Sequence, residues 1–127
     1  MSISTIAIMS PGNMGSAIGK FLAEGGFEVV SCLAGRSDFT KERALSCGFR
    51  DAGSIEDMVA AADLVLSILD PAKVEEIATA IAAAMRATDR ELVFADCNAT
   101  SPATALKLNG IIEGAGGRFV DVGIIGG

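Results

Sequence analysis

The feature that most constrains the fold is the stretch 2–22, where an apolar run, a tight turn and a helical pattern follow one another. The run 3–9 contains three β-branched isoleucines and ends at Ser10-Pro11-Gly12, a sequence typical of a turn. Apolar residues then recur at helical spacing: Met14, Ala17, Ile18, Phe21 and Leu22. The stretch therefore predicts a strand, a turn and a helix in succession.

The glycines of this turn favour a phosphate ligand. A strand, a glycine turn and a helix in this order form the first unit of a dinucleotide-binding sheet, with the pattern G-x-G-x-x-G. Here Ser10 replaces the first glycine, while Gly12 and Gly15 are retained. Gly12 would let the main chain approach a pyrophosphate, and Gly15 would let the helix pack close to the strand. A plain strand–turn–helix unit is the alternative for this stretch taken alone.

The composition excludes several classes of protein. A chain of 127 residues, half of them apolar, forms one domain with enough material for a core on both faces of a sheet. The net charge of −6 argues against nucleic acid as a partner, and the absence of histidine argues against a metal site. Cys32, Cys47 and Cys97 are expected to be reduced core thiols. With no signal peptide and no apolar run of about 20 residues, we expect a cytoplasmic protein without a membrane partner.

Strands and helices alternate along the rest of the chain. The further predicted strands are 27–33, 49–52, 63–69, 91–95 and 118–122. The further predicted helices are 40–47 with Thr40 as N-cap, 54–62 capped by Ser54, 71–85 with Asp70 as N-cap and Pro71 at its first position, and 101–112 opened by Ser101-Pro102. This alternation predicts an α/β fold: a Rossmann-type, doubly wound, mainly parallel six-stranded sheet with helices on both faces.

One helix carries a clear core-facing stripe. Its apolar residues are spaced by three, one, three, one and three: Val74, Ile77, Ala78, Ile81, Ala82 and Met85. This period is that of a helix packed against the sheet. We expect the stripe to be core packing against the sheet and not a cofactor-binding motif.

Four loops are expected to open on one edge of this sheet. They are residues 10–14, 36–37, 69–70 and 98–100, and each follows a predicted strand. Ligands of doubly wound sheets bind beyond the carboxyl ends of the strands, where the strand order reverses. The four loops together therefore predict a ligand site at that edge.

The loop after the second strand indicates which cofactor binds. An acid at this position accepts hydrogen bonds from a free ribose 2′-hydroxyl, whereas an arginine pairs with a 2′-phosphate. This chain has Arg36 beside Ser37, and Asp38 follows on a turn. We therefore expect NADP as the cofactor, with NAD as second choice. A solvated loop charge is the alternative for Arg36.

Five segments in order resemble the NAD(P)-binding domain of the β-hydroxyacid dehydrogenases, the group related to 6-phosphogluconate dehydrogenase. Residues 8–15 resemble the family's G-x-G-N-M-G, and 35–37 resemble its N-R-[ST]. Residues 68–70 stand where the family has M-L-P, 96–102 resemble D-x-S-T-x-x-P, and 121–127 resemble D-A-P-V-S-G-G. The resemblance covers essentially all of the chain.

The resemblance implies a set of cofactor contacts. Main-chain groups of Gly12, Asn13 and Met14 would hold the pyrophosphate, and Arg36 with Ser37 would hold the 2′-phosphate. Four further residues would line the path from adenosine to nicotinamide: Leu69, Asp70, Val74 and Ala99.

The chain departs from the family pattern where the family binds substrate. Asn98 and Ala99 replace a serine and a threonine, and Ile125 replaces a substrate-contacting serine. By resemblance Asn98, Ile125 and Gly126 are the candidate substrate-binding residues, although no hydroxyl is left for a substrate carboxylate. The family's catalytic lysine lies on a helix beyond the closing glycines, so no catalytic residue is assigned.

The resemblance also implies a larger assembly. Residues 1–127 would be the N-terminal NAD(P)-binding domain of a longer protein, followed by a helical domain that forms a homodimer. The apolar pair Ile124-Ile125 predicts a partner surface at that end of the chain.

These features predict an NADP-dependent oxidoreductase that moves hydride between the nicotinamide and a small alcohol, carbonyl or imine substrate. Asp96 and Asp121 are the acids placed near the reactive edge, and we expect both to be structural carboxylates. A non-catalytic NAD(P)-binding module or redox-sensing subunit is the alternative, because the missing serine and lysine fit it equally well. A methyltransferase also begins with a glycine turn, but it would favour an acid in place of Arg36.

Overall fold

Strands and helices alternate throughout the residues that the computed structural model describes, which are 3–9, 13–68, 71–98 and 101–122. The strands are β1 (Thr5–Met9), β2 (Glu28–Ser31), β3 (Phe49–Asp51), β4 (Leu64–Ser67), β5 (Val93–Asp96) and β6 (Arg118–Asp121). The helices are α1 (Asn13–Glu24), α2 (Asp38–Ser46), α3 (Ile55–Ala61), α4 (Val74–Thr88) and α5 (Pro102–Gly114). A short 3₁₀ turn, Pro71–Lys73, precedes α4.

The six strands form one sheet in the order β3-β2-β1-β4-β5-β6, and every pairing is parallel. The chain winds outward from β1 to β3, returns to β4 beside β1, and winds outward again to β6. The strand order therefore reverses between β1 and β4, which is the switch point of a doubly wound sheet. The predicted Rossmann-type fold is confirmed, and the sheet is wholly parallel.

Alternate residues of each central strand enter two separate cores. Ala7 and Met9 of β1 lie in a core with residues of α3, α4 and α5. Ile6 and Ile8 lie in the other core, with residues of α1 and α2 packed around it. Because both faces are covered, the central strands β1 and β4 are apolar at almost every position.

A glycine in α1 allows a close approach of helix and sheet. A Cβ atom built on Gly19 would clash with the ring of Phe49 and lie 3.2 Å from Cδ1 of Ile8. Phe49 is 4% exposed, so its ring has little room to move. The sequence pattern had predicted this packing role for Gly15 and not for Gly19, which lies four residues further along the same helix face.

Helix α4 confirms the predicted core stripe but not its predicted start. Its fully buried side chains include Val74, Ala78 and Ile81, and Ile77 packs at the edge of the same core. The prediction that Pro71 opens this helix is wrong, because Pro71 begins the 3₁₀ turn and Lys73 is the N-cap of α4, without a side-chain cap bond. The predicted N-cap Asp70 lies outside the described residues.

Helix α2 begins two residues before the predicted start. The N-cap is Ser37, whose Oγ accepts a hydrogen bond from Thr40 N at 3.2 Å. The predicted cap Thr40 is therefore the third residue of the helix, and the prediction is wrong. Both residue types can cap a helix, and the acid Asp38 in the first turn favours the earlier start through the helix dipole.

Most strands are shorter than predicted. Strand β2 ends at Ser31, so Cys32 and Leu33 belong to the loop that follows. Strand β5 ends later than predicted. Asp96 was expected in the turn, but it is the last residue of the strand and is fully buried. The predicted helix caps at Ser54 and Ser101 are confirmed.

The amino-terminal edge of the sheet is held by one carboxylate. Asp63 accepts hydrogen bonds from Ser4 N at 3.0 Å and Thr5 N at 3.1 Å, which joins the start of β1 to the residue before β4. Arg90 Nη2 donates to the same carboxylate at 2.7 Å and to Ala62 O at 3.0 Å. The main-chain hydrogen bonds from Ser4 and Thr5 lower the pKa of Asp63 and outweigh the opposing effect of burial, and the Ser4 hydroxyl and the Arg90 charge lower it further.

Among the helices of the described residues, none has both the length and the apolar character needed to cross a bilayer. The last strand, β6, forms one edge of the sheet and is largely exposed. The partner surface expected at Ile124-Ile125 lies outside the described residues.

Candidate functional site

The described residues of the loops predicted to hold a ligand lie at the carboxyl-terminal edge of the sheet. Because all strands are parallel, the residues after β1, β2, β4 and β5 meet along this edge. Residues Asn13 and Met14 follow β1, Arg36 and Ser37 follow β2, and Asn98 follows β5. The fold thus brings together predicted residues that are far apart in the chain.

The start of α1 suits an anionic group. This helix has 12 residues and no acidic residue in its first turn, so its N-terminal N–H groups and dipole face no opposing charge from that turn. Met14 is 51% exposed, whereas Gly15 and Ser16 are buried. A phosphate at this end of the helix would meet main-chain donors, as a dinucleotide pyrophosphate requires.

The loop after β2 presents Arg36 at the surface. Arg36 N donates to Leu33 O at 3.1 Å, which closes a tight turn. Gly35 has a φ of +78° within this turn, a conformation that L side chains rarely adopt. Arg36 is the last residue of this turn, and it is exposed.

Ser37 combines two roles in this loop. Its hydroxyl caps α2 by accepting from Thr40 N, and it lies 3.0 Å from Thr40 Oγ1 in a second hydrogen bond. The N-terminus of this nine-residue helix therefore lies directly beside Arg36. A guanidinium and a helix N-terminus side by side fit a 2′-phosphate, although Asp38 places one negative charge in the first helical turn.

A polar network joins the ends of β4 and β5. Asp96 and Ser67 are both fully buried and pair with each other in the sheet register. Asn98 Nδ2 donates to Asp96 Oδ1 at 2.7 Å and to Ser67 Oγ at 3.2 Å, and Asn98 N donates to Asp96 Oδ1 at 3.2 Å. The expectation that Asp96 is a structural carboxylate that caps a turn is confirmed.

These contacts bear on Asn98 as a candidate substrate-binding residue. A carboxamide has two N–H donors, and both are used within the protein, one on Asp96 and one on Ser67. The side-chain nitrogen of Asn98 therefore points toward Asp96 and Ser67. Its role as a substrate contact stays a prediction.

Cys97 lies in the same loop, and it is not disulfide bonded. Burial raises the pKa of the Cys97 thiol, and the neighbouring Asp96 carboxylate raises it further. The thiol is therefore protonated at neutral pH and is a poor nucleophile. Cys32 and Cys47 are likewise without disulfide partners, and they pack partly buried against the two cores.

The remaining predicted residues divide into two groups. Val74 lies at the start of α4, and its side chain is fully buried in the core, so it forms part of the wall beneath this edge. The others lie outside the described residues: Gly12, Leu69, Asp70, Ala99, Ile125 and Gly126.

One residue at this edge escaped the sequence analysis. Asp51, the last residue of β3, directs its carboxylate at the main chain of the β2–α2 loop. The signal available was Asp51-Ala52-Gly53 at the end of a predicted strand, because an aspartate side chain often accepts a hydrogen bond from the main chain two residues further on.

The fold and the carboxyl-terminal edge together define a domain of the dinucleotide-binding class. A family model described as the NAD binding domain of 6-phosphogluconate dehydrogenase matches residues 5–127. The chain belongs to this family. The resemblance inferred from the sequence is confirmed, and the domain is one that binds a pyridine nucleotide.

Several proteins are similar to this chain. It is 28% identical over 121 residues to the uncharacterized 28.5 kDa protein in the 7S RNA 5′ region of Methanothermus fervidus, covering 95% of this chain and 45% of that one. It superposes on the conserved protein MTH1747 of unknown function, described as similar to 3-hydroxyacid dehydrogenases, with a TM-score of 0.83, 29% identity and coverage of 97% and 44%. It also superposes on Mycobacterium tuberculosis 3-hydroxyisobutyrate dehydrogenase with L-serine, with a TM-score of 0.82 and 27% identity, covering 99% of this chain and 42% of that one. The chain thus spans less than half the length of each of these proteins.

Proposed function

We propose that this chain is the cofactor domain of an NADP-dependent oxidoreductase that transfers hydride between the nicotinamide and a small alcohol, carbonyl or imine. Arg36 carries the NADP part of the proposal. It is exposed at the carboxyl end of β2, beside the N-terminus of α2, where the ribose of a dinucleotide lies in sheets of this order.

Each part of the edge has a task in this proposal. The start of α1 holds the pyrophosphate through main-chain N–H groups, and Arg36 with Ser37 holds the 2′-phosphate. The Asp96–Asn98–Ser67 network fixes the beginning of the loop after β5. The bound nicotinamide supplies the hydride chemistry, and the protein orients it and excludes water.

The rest of the enzyme is part of the same proposal. Because the chain spans 42–45% of the relatives described above, we propose that a helical domain follows it, supplies the proton donor and forms a homodimer. A non-catalytic NAD(P)-binding subunit is the competing function. A longer chain that binds NADPH yet shows no turnover with any alcohol, carbonyl or imine would favour that subunit.

The test is a titration with NADPH and NADH, followed by nicotinamide fluorescence. The chain has no Trp or Tyr, so protein emission hardly interferes. We expect tighter binding of NADPH, and Arg36→Ala is expected to weaken NADPH binding by about 10-fold to 100-fold, because a charged hydrogen-bonded pair contributes about 1.5–3 kcal/mol. NADH binding should change by less than about twofold, since that cofactor lacks the 2′-phosphate.

The matched control is Arg118→Ala. Arg118 is an exposed arginine at the first position of β6, at the opposite edge of the sheet. Its removal changes the net charge equally and should leave both affinities unchanged. Equal affinity of the wild-type chain for the two cofactors, or an NADPH preference that survives Arg36→Ala, would refute the proposed role of Arg36.

A further inference from the structure

One carboxylate links the end of β3 to the loop that carries Arg36. Asp51 Oδ1 accepts hydrogen bonds from Leu33 N at 3.2 Å and from Gly53 N at 2.9 Å. The main-chain pairing of β2 with β3 ends one step earlier, where Ala52 N donates to Ser31 O at 2.9 Å. The Asp51 side chain therefore binds the main chain two residues beyond Ser31, the last residue of β2, and extends the contact between the two strands.

Leu33 connects Asp51 to Arg36 through its main-chain groups. Its side chain is 1% exposed in the core shared with α1 and α2, and its N–H is held by Asp51. Its carbonyl accepts the Arg36 N–H that closes the turn. Asp51 thus holds the first residue of a tight turn of which Arg36 is the last.

We infer that Asp51 is a positioning residue that sets the preference for the 2′-phosphorylated cofactor. This inference rests on the proposed function. A guanidinium binds a phosphate through a planar fork of donors, so its affinity depends on how well the backbone beneath it is ordered. Without the bond to Leu33 N the turn gains conformational freedom, and binding the phosphate must then order it.

The acceptor oxygen matters here, and the negative charge does not. A charge on Asp51 gives no attraction to a phosphate, whereas its oxygen serves two main-chain donors. Asparagine keeps an oxygen at the same position and removes the charge. Asp51→Asn is therefore the conservative variant that should retain the function, and Asp51→Ala is the variant that should lose it.

The experiment compares the affinities of both cofactors for the wild-type chain, Asp51→Ala, Asp51→Asn and Arg36→Ala. For Asp51→Ala we expect NADPH to bind about fivefold to tenfold more weakly, the range for one lost hydrogen bond, with NADH changed by less than about twofold. Asp51→Asn should match the wild type for both cofactors. If Asp51→Ala does not fold by circular dichroism, Asp51→Glu replaces it, because the added methylene displaces the oxygen and the same selective loss is expected.

Two outcomes would overturn the inference. The first is a ratio of NADPH to NADH affinity that stays at the wild-type value in Asp51→Ala, or in Asp51→Glu where that variant replaces it; equal weakening of both cofactors, as a purely structural role would give, is such a case. The second is a loss in Asp51→Asn as large as in Asp51→Ala. The proposed function fails separately. If Arg36→Ala leaves the preference intact, the 2′-phosphate is not bound there. If Arg36→Ala abolishes the preference and Asp51→Ala does not, only the inference about Asp51 is wrong.

Discussion

At the scale of single residues, polar side chains at both edges of the sheet bind main-chain groups that the strands leave without sheet partners. Asp63 does so at the amino-terminal edge, where it accepts from two N–H groups at the start of β1. Asp51 and Asp96 do so at the carboxyl-terminal edge, each at the last position of a strand. Such contacts hold the loops in one conformation, which a binding site needs.

The first prediction concerns Asp63 and pH. Hydrogen bonds from Ser4 N and Thr5 N lower its pKa below the ordinary value of 3.8, so the carboxylate is favoured in the folded state. Its contribution to the free energy of unfolding is present above the unfolded pKa and is lost as the pH falls below that value. Asp63→Asn should therefore lower stability at pH 7 by about 1–2 kcal/mol, with the difference from wild type shrinking in acid.

Urea unfolding at several pH values measures this effect. Glu42→Gln, a change at an exposed position of α2, is the control and should leave stability within about 0.5 kcal/mol at each pH. A difference between Asp63→Asn and wild type that stays constant down to the acid limit of folding would contradict the account.

The second prediction concerns Asn98. Asn98→Ala removes two side-chain hydrogen bonds, one to the fully buried Asp96 and one to Ser67, and should cost about 1–3 kcal/mol in the free energy of unfolding. Asn98→Asp should cost more at pH 7, because it brings a second carboxylate against Asp96, and it should recover partly in acid.

The same urea experiment includes Asn109→Ala as control. Asn109 lies within α5 and is only partly buried, so alanine should be neutral or slightly stabilising there. If Asn98→Asp were as stable as the wild-type chain at pH 7, the network would not be formed in solution.

Arg36 and Asp51 differ in how far the sequence could predict them. Arg36 could be predicted because it follows the second strand directly in the sequence, so its place does not depend on how the strands pack. The contact from Asp51 to Leu33 joins residues 18 positions apart, and it requires that β3 lie beside β2 in register. That register is set by the tertiary structure, so the role of Asp51 could not be derived from its neighbours in the chain.

At the scale of elements, the packing of α1 on the sheet depends on one glycine. A Cβ on Gly19 would overlap the Phe49 ring, which is almost fully buried. Gly19→Ala should therefore destabilise the fold by about 1–3 kcal/mol despite the better helix propensity of alanine. Gly110→Ala in α5 is the matched control, because its Cβ would meet open space, and it should stabilise the fold by up to about 1 kcal/mol.

A double mutant identifies the cause of the Gly19 effect. Phe49→Leu removes the ring that the new methyl group would meet, so Gly19→Ala should cost less in the Phe49→Leu background than in wild type. The free energies of unfolding of the wild type, the two single mutants and the double mutant give the coupling energy between residues 19 and 49. Strict additivity would show that Gly19→Ala acts through something other than Phe49.

The elements were predicted more accurately than their ends. Apolar stripes such as that of α4 gave the correct type of structure, because burial of one face decides whether a helix forms. The start of α4 was missed because the stretch at Pro71–Lys73 forms a 3₁₀ turn, which shares the sequence signals of an α-helix start. The start of α2 was missed because two adequate capping residues, Ser37 and Thr40, compete for one helix.

At the scale of the whole molecule, the strand order determines where a ligand binds. The alternating strands and helices of the sequence predicted a doubly wound parallel sheet, whereas the order β3-β2-β1-β4-β5-β6 came from the structure. Several predicted contacts at the resulting edge, Gly12 and Asp70 among them, lie outside the described residues. For these residues the predicted contacts stand on the sequence alone.

The most direct test of the central claim is to add NADPH to the isotope-labelled chain and to map by NMR which backbone amides change their chemical shifts. The account predicts shifts confined to the carboxyl-terminal edge, at residues 13–16, 33–38 and 97–98. Residues at the amino-terminal edge, such as Asp63, Glu91 and Arg118, should not shift. Shifts centred on 91–92 and 117–118, with none near Arg36, would place the nucleotide at the opposite edge and contradict the account.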